Sequence, residues 1–410
     1  MADAYFFLFF LLPLLLLVVL YFLVKPRPVK IPIKNRHVFI TGGSSGIGLA
    51  LAHRAAAEGA RVSILARSLG KLEEARNAIR LATGIEVAVF AADVRDFEAV
   101  KRAVDEAGPI DVLLLNHGVF VALELEKMEL SEIKFTMDVN LMGTLNLIKA
   151  ALPAMKNRKD PLPASIALVS SQAGQAGIYG YVAYSASKFG LRGLAEALQQ
   201  EVIADNIHVS LIFPPDTDTP GLAEEAGVAR HGAYREIEED VEQNAKKRWE
   251  ILHFFLRKPE LTKIIAASSG CMTAEKVAQK ALDGIKSGSF IVSCNLEGIA
   301  LSLATAGLSP QRSFLMAFVE VVAAGILRIV ALGMQWTWYG SIEKYHSQRK
   351  ELESYWTLRS DWLPILTSYP ASSLICVGMA NGVRLGESIL PDWIREVQPG
   401  VAETESYAPF

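Results

Sequence analysis

Residues 37–48 read His37-Val38-Phe39-Ile40-Thr41-Gly42-Gly43-Ser44-Ser45-Gly46-Ile47-Gly48. A short β-prone run enters a glycine turn, and a helical stretch, Ile47–Glu58, leaves it. Glycine permits the tight turn. The start of the helix then offers free backbone N–H groups to an anion. The anion expected here is a pyrophosphate, lined by Thr41, Gly42, Ser44, Ser45, Gly46, Ile47 and Gly48. The spacing of Gly42, Gly46 and Gly48 differs from a plain G-x-G-x-x-G turn, so its position between strand and helix carries the reading.

The same alternation continues downstream. Strands are expected at His37–Thr41, Arg61–Ala66, Glu86–Ala91, Asp111–Leu115, Ser165–Ser170, His208–Phe213 and Ser289–Val292. Helices are expected between them, among them Leu69–Ala82 and Phe97–Ala107. Strand–helix alternation at this spacing implies parallel strands with right-handed crossovers. The fold class is therefore α/β, a Rossmann-type doubly wound parallel sheet, and ligands belong at the carboxyl ends of its strands.

Those ends carry distinctive residues. Arg67 follows the second strand, where an acid would hold a ribose 2′-hydroxyl. A guanidinium suits a 2′-phosphate instead, so NADPH is the expected cofactor; a solvated surface arginine is the competing reading. Asp93 and Val94 follow the third strand, and Asn116-His117-Gly118 the fourth. Adenine and ribose would pass there. The lone His117 reads as loop structure beside the cofactor, neither a metal ligand nor a base.

Ser171 stands after the fifth strand, and Tyr184-Ser185-Ala186-Ser187-Lys188 lies further on, in a helix expected from about Val182 to Ile203. Tyr184 and Lys188, at i and i+4, share one helix face. An ammonium beside a phenol favours the phenolate, and a tuned phenol passes a proton to or from a carbonyl oxygen. Ser171 is placed to hold that oxygen.

With these residues in hand, the sequence resembles the classical short-chain dehydrogenase/reductase family from about His37 to Val292. The resemblance rests on Thr41-Gly42, Gly46 and Gly48, on Val139-Asn140, and on Ser171, Tyr184 and Lys188. It implies that Tyr184 is the acid/base, that Lys188 also binds the nicotinamide ribose, that Ser171 orients the carbonyl, and that Asn140 joins a water-mediated proton relay. Pro214 and Thr217 would then flank the cofactor. Two departures stand out: His117 replaces the usual alanine, and Pro215 replaces the usual glycine after Pro214. Pro215, an apolar N-terminal segment and Tyr339–His346 narrow the resemblance to members that reduce the ketone of 3-ketosphinganine with NADPH, on the cytosolic face of the endoplasmic reticulum. Two alternatives stay open: another lipid ketone (retinoid, steroid or 3-oxoacyl), and a non-catalytic NADPH-binding scaffold.

Composition supports a membrane setting. The 410 residues are 51% hydrophobic and 21% charged, with a net charge of -3, and mean hydropathy is +0.26. That balance excludes general disorder and gives no basic excess for nucleic acid. Cys271, Cys294 and Cys376 are too scattered for a disulfide framework or a zinc site, so no metal is expected. Tyr5–Val24 carries no charge and matches one hydrocarbon thickness as a helix. Lys25, Arg27 and Lys30 follow it, which places the rest of the chain in the cytosol. A cleaved signal peptide is disfavoured by the missing basic n-region, and Pro26, Pro28 and Pro32 read as a stiff spacer.

The expected organisation is an anchor and linker at 1–34, a catalytic domain at 35–295, a hydrophobic membrane-associated segment at 296–348, and a tail at 349–410 with no assigned role. Within the catalytic domain, Leu222–Ala267 is a substrate-covering insertion with an acidic run at Glu236–Glu242, a basic Lys246-Lys247-Arg248 and an apolar stretch from Trp249. Asp216 or Asp218 either attracts a substrate ammonium or caps the next helix. Phe314–Tyr339 is long enough to span, but holds Glu320 and Arg328. The favoured reading is an embedded, non-spanning segment; a span and a buried helix are the others. A homo-oligomer is compatible with the sequence.

Overall fold

The computed structural model describes residues 11–24, 29–225, 261–262 and 270–359. Its strands are β1 (His37–Thr41), β2 (Arg61–Ala66), β3 (Ala88–Ala91), β4 (Val112–Leu115), β5 (Ala164–Val169), β6 (Ile207–Phe213), β7 (Thr217–Asp218), β8 (Met272–Thr273) and β9 (Ile291–Ser293). The helices used below are α1 (Leu12–Val24), α2 (Gly46–Ala57), α3 (Leu69–Thr83), α4 (Phe97–Ala107), α5 (Leu130–Met137), α6 (Gly143–Lys156), α7 (Val182–Val202), α8 (Pro220–Glu225), α9 (Ala274–Lys286), α10 (Leu296–Ala304) and α11 (Phe314–Arg359).

Seven strands form one parallel sheet in the order β3-β2-β1-β4-β5-β6-β9. Chain direction across the sheet reverses between β1 and β4, which makes their carboxyl ends the switch point. Register there is tight: Thr41 pairs with both Leu65 and Leu115. Side chains alternate between two buried layers. Phe39, Leu65, Leu113, Leu115, Ile166 and Leu168 pack on one side. Val38, Ile40, Ile64, Leu114, Ala167 and Val169 pack on the other. A strand covered on both faces reads as a continuous apolar run, as these do.

Helix ends follow their local chemistry. Ser68, Asp96 and Thr273 cap α3, α4 and α9 by accepting backbone N–H bonds from Lys71, Ala99 and Lys276. Gly84 closes α3 in the left-handed region at φ 73°. The expected elements differ from the observed ones mainly at their ends. β3 begins at Ala88 rather than Glu86, and the last strand runs Ile291–Ser293 rather than Ser289–Val292. After β6, β7 pairs with β8 as a small separate ladder. The hydroxyl of Thr219 accepts the Leu222 N–H in the first turn of α8.

The charged end of the sheet is closed by Arg36. It is 4% exposed and bonds Asp160, and it pairs with Asp111 at 2.9 Å. Such a buried pair is costly to break, because the survivor is left desolvated and alone.

Most of the Leu222–Ala267 insertion lies outside the described residues, including its acidic, basic and Trp249-led stretches. Its returning end is described: Leu261 is buried, and the Thr262 hydroxyl donates to the Tyr179 carbonyl at 2.9 Å. Residues 1–10 of the N-terminal apolar run and the basic and proline positions 25–28 also lie outside the description. The described part, α1, is 13 residues long. That makes about 20 Å of helix.

The second apolar region, expected at Phe314–Tyr339, lies within α11. It is one helix, and Phe314–Gln348 is long and apolar enough to cross a membrane, with only 6% of its most apolar window buried. Val321, Ile326, Ile329, Val330 and Trp336 are exposed along it. Glu320 accepts a hydrogen bond from Gln311 at 2.6 Å, while Arg328 is exposed. Near its start, Phe314 meets Tyr21 of α1 edge-on at 5.5 Å. A second unit begins at Ile342 and is described as helix as far as Arg359. Residues 360–410 of the tail lie outside the described residues.

Candidate active site

The glycine turn is shaped by backbone sterics. Gly42 and Gly46 sit at φ +65° and +54°, where a side chain strains the backbone. A Cβ on Gly48 would stand 2.1 Å from the Gly42 carbonyl oxygen. Ser45 precedes the helix in extended conformation, and its side chain makes no cap bond to α2. The turn is thus held open by the absence of side chains, a cradle suited to a pyrophosphate.

Thr41 ties this turn to the next loop. Its buried hydroxyl oxygen accepts the N–H of Asn116 at 3.0 Å and of His117 at 3.3 Å. The Asn116 amide donates to the Gly42 carbonyl at 3.4 Å. Arg67 begins the loop after β2 and makes no ion pair among the described residues. A nicotinamide dinucleotide therefore fits: the turn supplies backbone donors, and Arg67 is an exposed cation at the end of β2 whose charge helps to hold the Asp93 carboxyl low. Asp93 and Val94 follow β3. The Arg95 guanidinium grips the Asp93 carboxylate at 2.6 to 3.1 Å and holds it below the usual carboxylate range. Val94 presses on Gly143, leaving 2.6 Å to a Cβ there.

A second cluster assembles beside the first. Asn140 lies in a π-helical segment, Asp138–Met142, between α5 and α6, and is 0% exposed. Its side-chain oxygen accepts the Val119 N–H at 2.8 Å. Its amide donates to the Val119 carbonyl at 2.8 Å and to Ser187 at 2.9 Å. Lys188 on α7 is buried, and its ammonium donates to the Val169 carbonyl at 3.0 Å. Burial brings its pKa down to about 8. The same ammonium lies 5.6 Å from the ring centre of half-buried Tyr184. Gly118 separates Asn140 from Lys188: a Cβ there would meet the Asn140 Oδ1 and the Lys188 Nζ at 3.4 Å each.

The end of β5 is pressed against the same helix. Ser170 donates to the Lys188 carbonyl at 3.0 Å. Ser171 opens the short turn Gln172–Gly174, and its hydroxyl oxygen accepts the Ala173 N–H at 3.2 Å. Pro214 joins from β6, its carbonyl accepting the Gln172 N–H at 3.1 Å. Thr217 is buried, and its hydroxyl donates to Pro215 at 2.8 Å, turned into its own loop. All the residues singled out from the sequence thus gather at the carboxyl ends of the sheet strands.

Further residues belong to the site that sequence reasoning passed over. Phe120 and Tyr181 flank the Tyr184 ring at 5.8 and 5.6 Å. Thr219 lies against Gly46, 3.0 Å from where a Cβ would be. Phe120 stands two positions after Gly118 in an irregular loop, where no periodicity could mark it.

Relatives and structures agree with this geometry. Residues 36–227 match the model of short chain dehydrogenases. A 3-dehydrosphinganine reductase of Arabidopsis thaliana is 63% identical over 323 residues, 79% of this chain and 90% of the relative. A second from the same plant is 59% identical over 84% of this chain and 96% of the relative. The 3-ketodihydrosphingosine reductase of Bos taurus is 32% identical over 81% and 92%. Among solved structures, L-sorbose reductase from Gluconobacter frateurii, complexed with NADPH and L-sorbose, is 23% identical with a TM-score of 0.51. It covers 65% of this chain and 95% of that one, and shares the fold. With relatives this similar over most of their length, the chain belongs to the short-chain dehydrogenase/reductase family.

Proposed function

We propose that this chain reduces the ketone of 3-ketosphinganine to the alcohol of sphinganine, with NADPH, at the cytosolic face of the endoplasmic reticulum membrane. The reaction type is carried by one observation: the buried Lys188 ammonium beside the Tyr184 phenol, with Asn140 across Gly118. The substrate is supported by what relatives at 63% and 59% identity are named for.

The turn from Thr41 to Gly48 would hold the pyrophosphate, with Ser44 and Arg67 beside the 2′-phosphate. Asp93, Val94, Asn116 and Gly118 would line the adenosine and ribose, and Pro214 and Thr217 the nicotinamide. Bound there, NADPH supplies the hydride that reduces the carbonyl carbon. The remaining chemistry falls to side chains. Tyr184 gives its phenolic proton to the substrate oxygen as negative charge develops on it. Ser171 donates a hydrogen bond to the same oxygen, a preorganised donor worth most in a water-poor site. The Lys188 ammonium steadies the phenolate that remains. Asn140 and Lys188 return the proton to Tyr184 through water.

A long-chain substrate resides in the bilayer, so the catalytic domain works at its surface. We assign residues 1–34 to an anchor and linker, 35–295 to the catalytic domain, and 296–348 to membrane association. The exposed apolar face along α11 fits the last of these.

The test is NADPH oxidation by detergent-solubilised full chain with 3-ketosphinganine, with NADH and other lipid ketones in parallel. Turnover of 3-ketosphinganine that prefers NADPH and disappears in Tyr184→Phe is the expected result. Faster turnover of a retinoid, steroid or 3-oxoacyl ketone would transfer the assignment to that substrate. Cofactor binding without turnover of any ketone would overturn the enzymatic reading.

A further inference from the structure

His117 stands where the family usually carries a small residue, and its ring occupies the junction between the two clusters of the site. Its Nδ1 lies 2.7 Å from the Thr41 hydroxyl. That oxygen already accepts two backbone N–H bonds, from Asn116 and His117. Its own hydrogen must therefore serve an acceptor, and Nδ1 is far nearer than the Leu114 carbonyl at 3.4 Å. Nδ1 is consequently the bare nitrogen, and the ring proton sits on Nε2. The Val139 backbone is near enough to favour the ring's protonated form. Nε2 lies 3.5 Å from the Thr144 hydroxyl, whose hydrogen is committed to the Asn140 carbonyl at 2.8 Å. Each donor thus meets an acceptor from Thr41 to the π-helical segment.

We propose that His117 is a positioning residue, a neutral strut that fixes the π-helical segment carrying Asn140 to the end of β1 and so keeps the Asn140–Lys188 proton relay in register. The inference rests on the reductase reading above. Three features support it. The Nε2–H faces the Thr144 hydroxyl, which in turn donates to the Asn140 carbonyl, at a place where π-type pairing, Gly143 N–H to Asp138, replaces the ordinary ladder. The ring has little spare room, since a Cβ on Gly143 would come within 3.2 Å of Nε2. Burial, reinforced by the Lys188 charge, lowers the His117 pKa to about 3, so the strut stays neutral at working pH and adds no second cation beside Lys188. The charged groups acting on it are Lys188 and Asp93.

The test compares wild type, His117→Phe, His117→Gln and Thr144→Val in the solubilised full chain, reading kcat, KM and the pH profile of NADPH-dependent reduction. Phe fills the site without hydrogen bonds. Gln restores a planar acceptor–donor pair. We expect His117→Phe to lower kcat about tenfold with KM within about twofold and a displaced basic limb, a change of roughly 1.4 kcal/mol in the barrier. His117→Gln should recover most of that. Thr144→Val, which acts at the other end of the chain of bonds, should displace the same limb and combine less than additively with His117→Phe. An unchanged kcat and pH limb in His117→Phe overturns the proposal, as does full additivity of the two changes. If His117→Phe fails to fold, Thr144→Val and His117→Gln decide it: a wild-type limb in Thr144→Val overturns it. Absence of turnover in wild type is a different failure, that of the reductase reading.

Discussion

The two halves of the site are built by opposite means. The cofactor turn works through backbone: Gly42, Gly46 and Gly48 matter because nothing projects from them, and the donors are main-chain N–H groups. The catalytic corner works through side chains drawn from the β4 loop, the π-helical segment, the β5 end and α7, with Lys188 desolvated in their midst. A backbone site is encoded locally and fails when an atom is added. A side-chain site is encoded at a distance and fails when an atom is removed or its environment becomes wet.

Tyr184→Phe gives the largest expected effect that breaks this contrast. Removing one oxygen should cost about 10²- to 10⁴-fold in kcat, while the dissociation constant for NADPH, measured by fluorescence titration, stays within about threefold. A comparable loss in cofactor affinity would mean that the two halves are not separable. Adding one carbon is the converse. In Gly48→Ala the new Cβ meets the Gly42 carbonyl, a backbone atom that cannot rotate aside. The variant should lose about 1–3 kcal/mol of stability and bind NADPH at least tenfold more weakly. Intact binding with a normal melting temperature would show that the turn has room to relax.

Acidity sharpens the same comparison. Lys188 is charged below a pKa of about 8 and neutral above it. Its ammonium supports Tyr184 only on the acid side, so kcat/KM should fall toward tenfold per pH unit above about 8. A profile flat to pH 10 would remove the Lys188 charge from the mechanism. The stability term has its own sign. The native pKa lies below the unfolded value, so the unfolded chain holds the extra proton between the two. Lys188 therefore destabilises the fold at neutral pH, and this cost fades as pH rises through 8 toward the ordinary lysine value. The smallest effect belongs to the exposed rim: Arg67→Gln should weaken NADPH about tenfold and leave NADH unchanged, since only a charge-assisted contact is lost. Equal weakening of both cofactors would mean that Arg67 does not read the 2′-phosphate.

How much could be read in advance follows the same division. The β1 turn, the two-layer sheet and the pairing of Tyr184 with Lys188 at i and i+4 were legible, because each is written within one element or in the period of its apolar residues. His117 was legible only as a departure. Its contacts with Thr41 and Thr144 join positions far apart in the chain, and no local pattern announces them. Phe120 escaped for the same reason, sitting in a loop that tertiary packing folds onto Tyr184, whereas Tyr181 is its near neighbour in the chain, just before the helix that carries Tyr184. The apolar C-terminal region was legible as one stretch long enough to span, with Glu320 and Arg328 inside it; only the structure shows that Gln311 bonds the first and that the second is exposed on a continuous helix.

By itself, then, the sequence determined the parallel α/β architecture, the glycine turn and the identity of the residues at the strand ends. Hydrophobic period and backbone sterics act over a few residues, and a linear text records them fully. Only the tertiary structure decided which groups are desolvated, which nitrogen of His117 carries its proton, and how Asn140 and Lys188 come to face each other across Gly118. Burial and hydrogen-bond satisfaction are properties of a place in space, and that place is made jointly by segments that the chain keeps far apart.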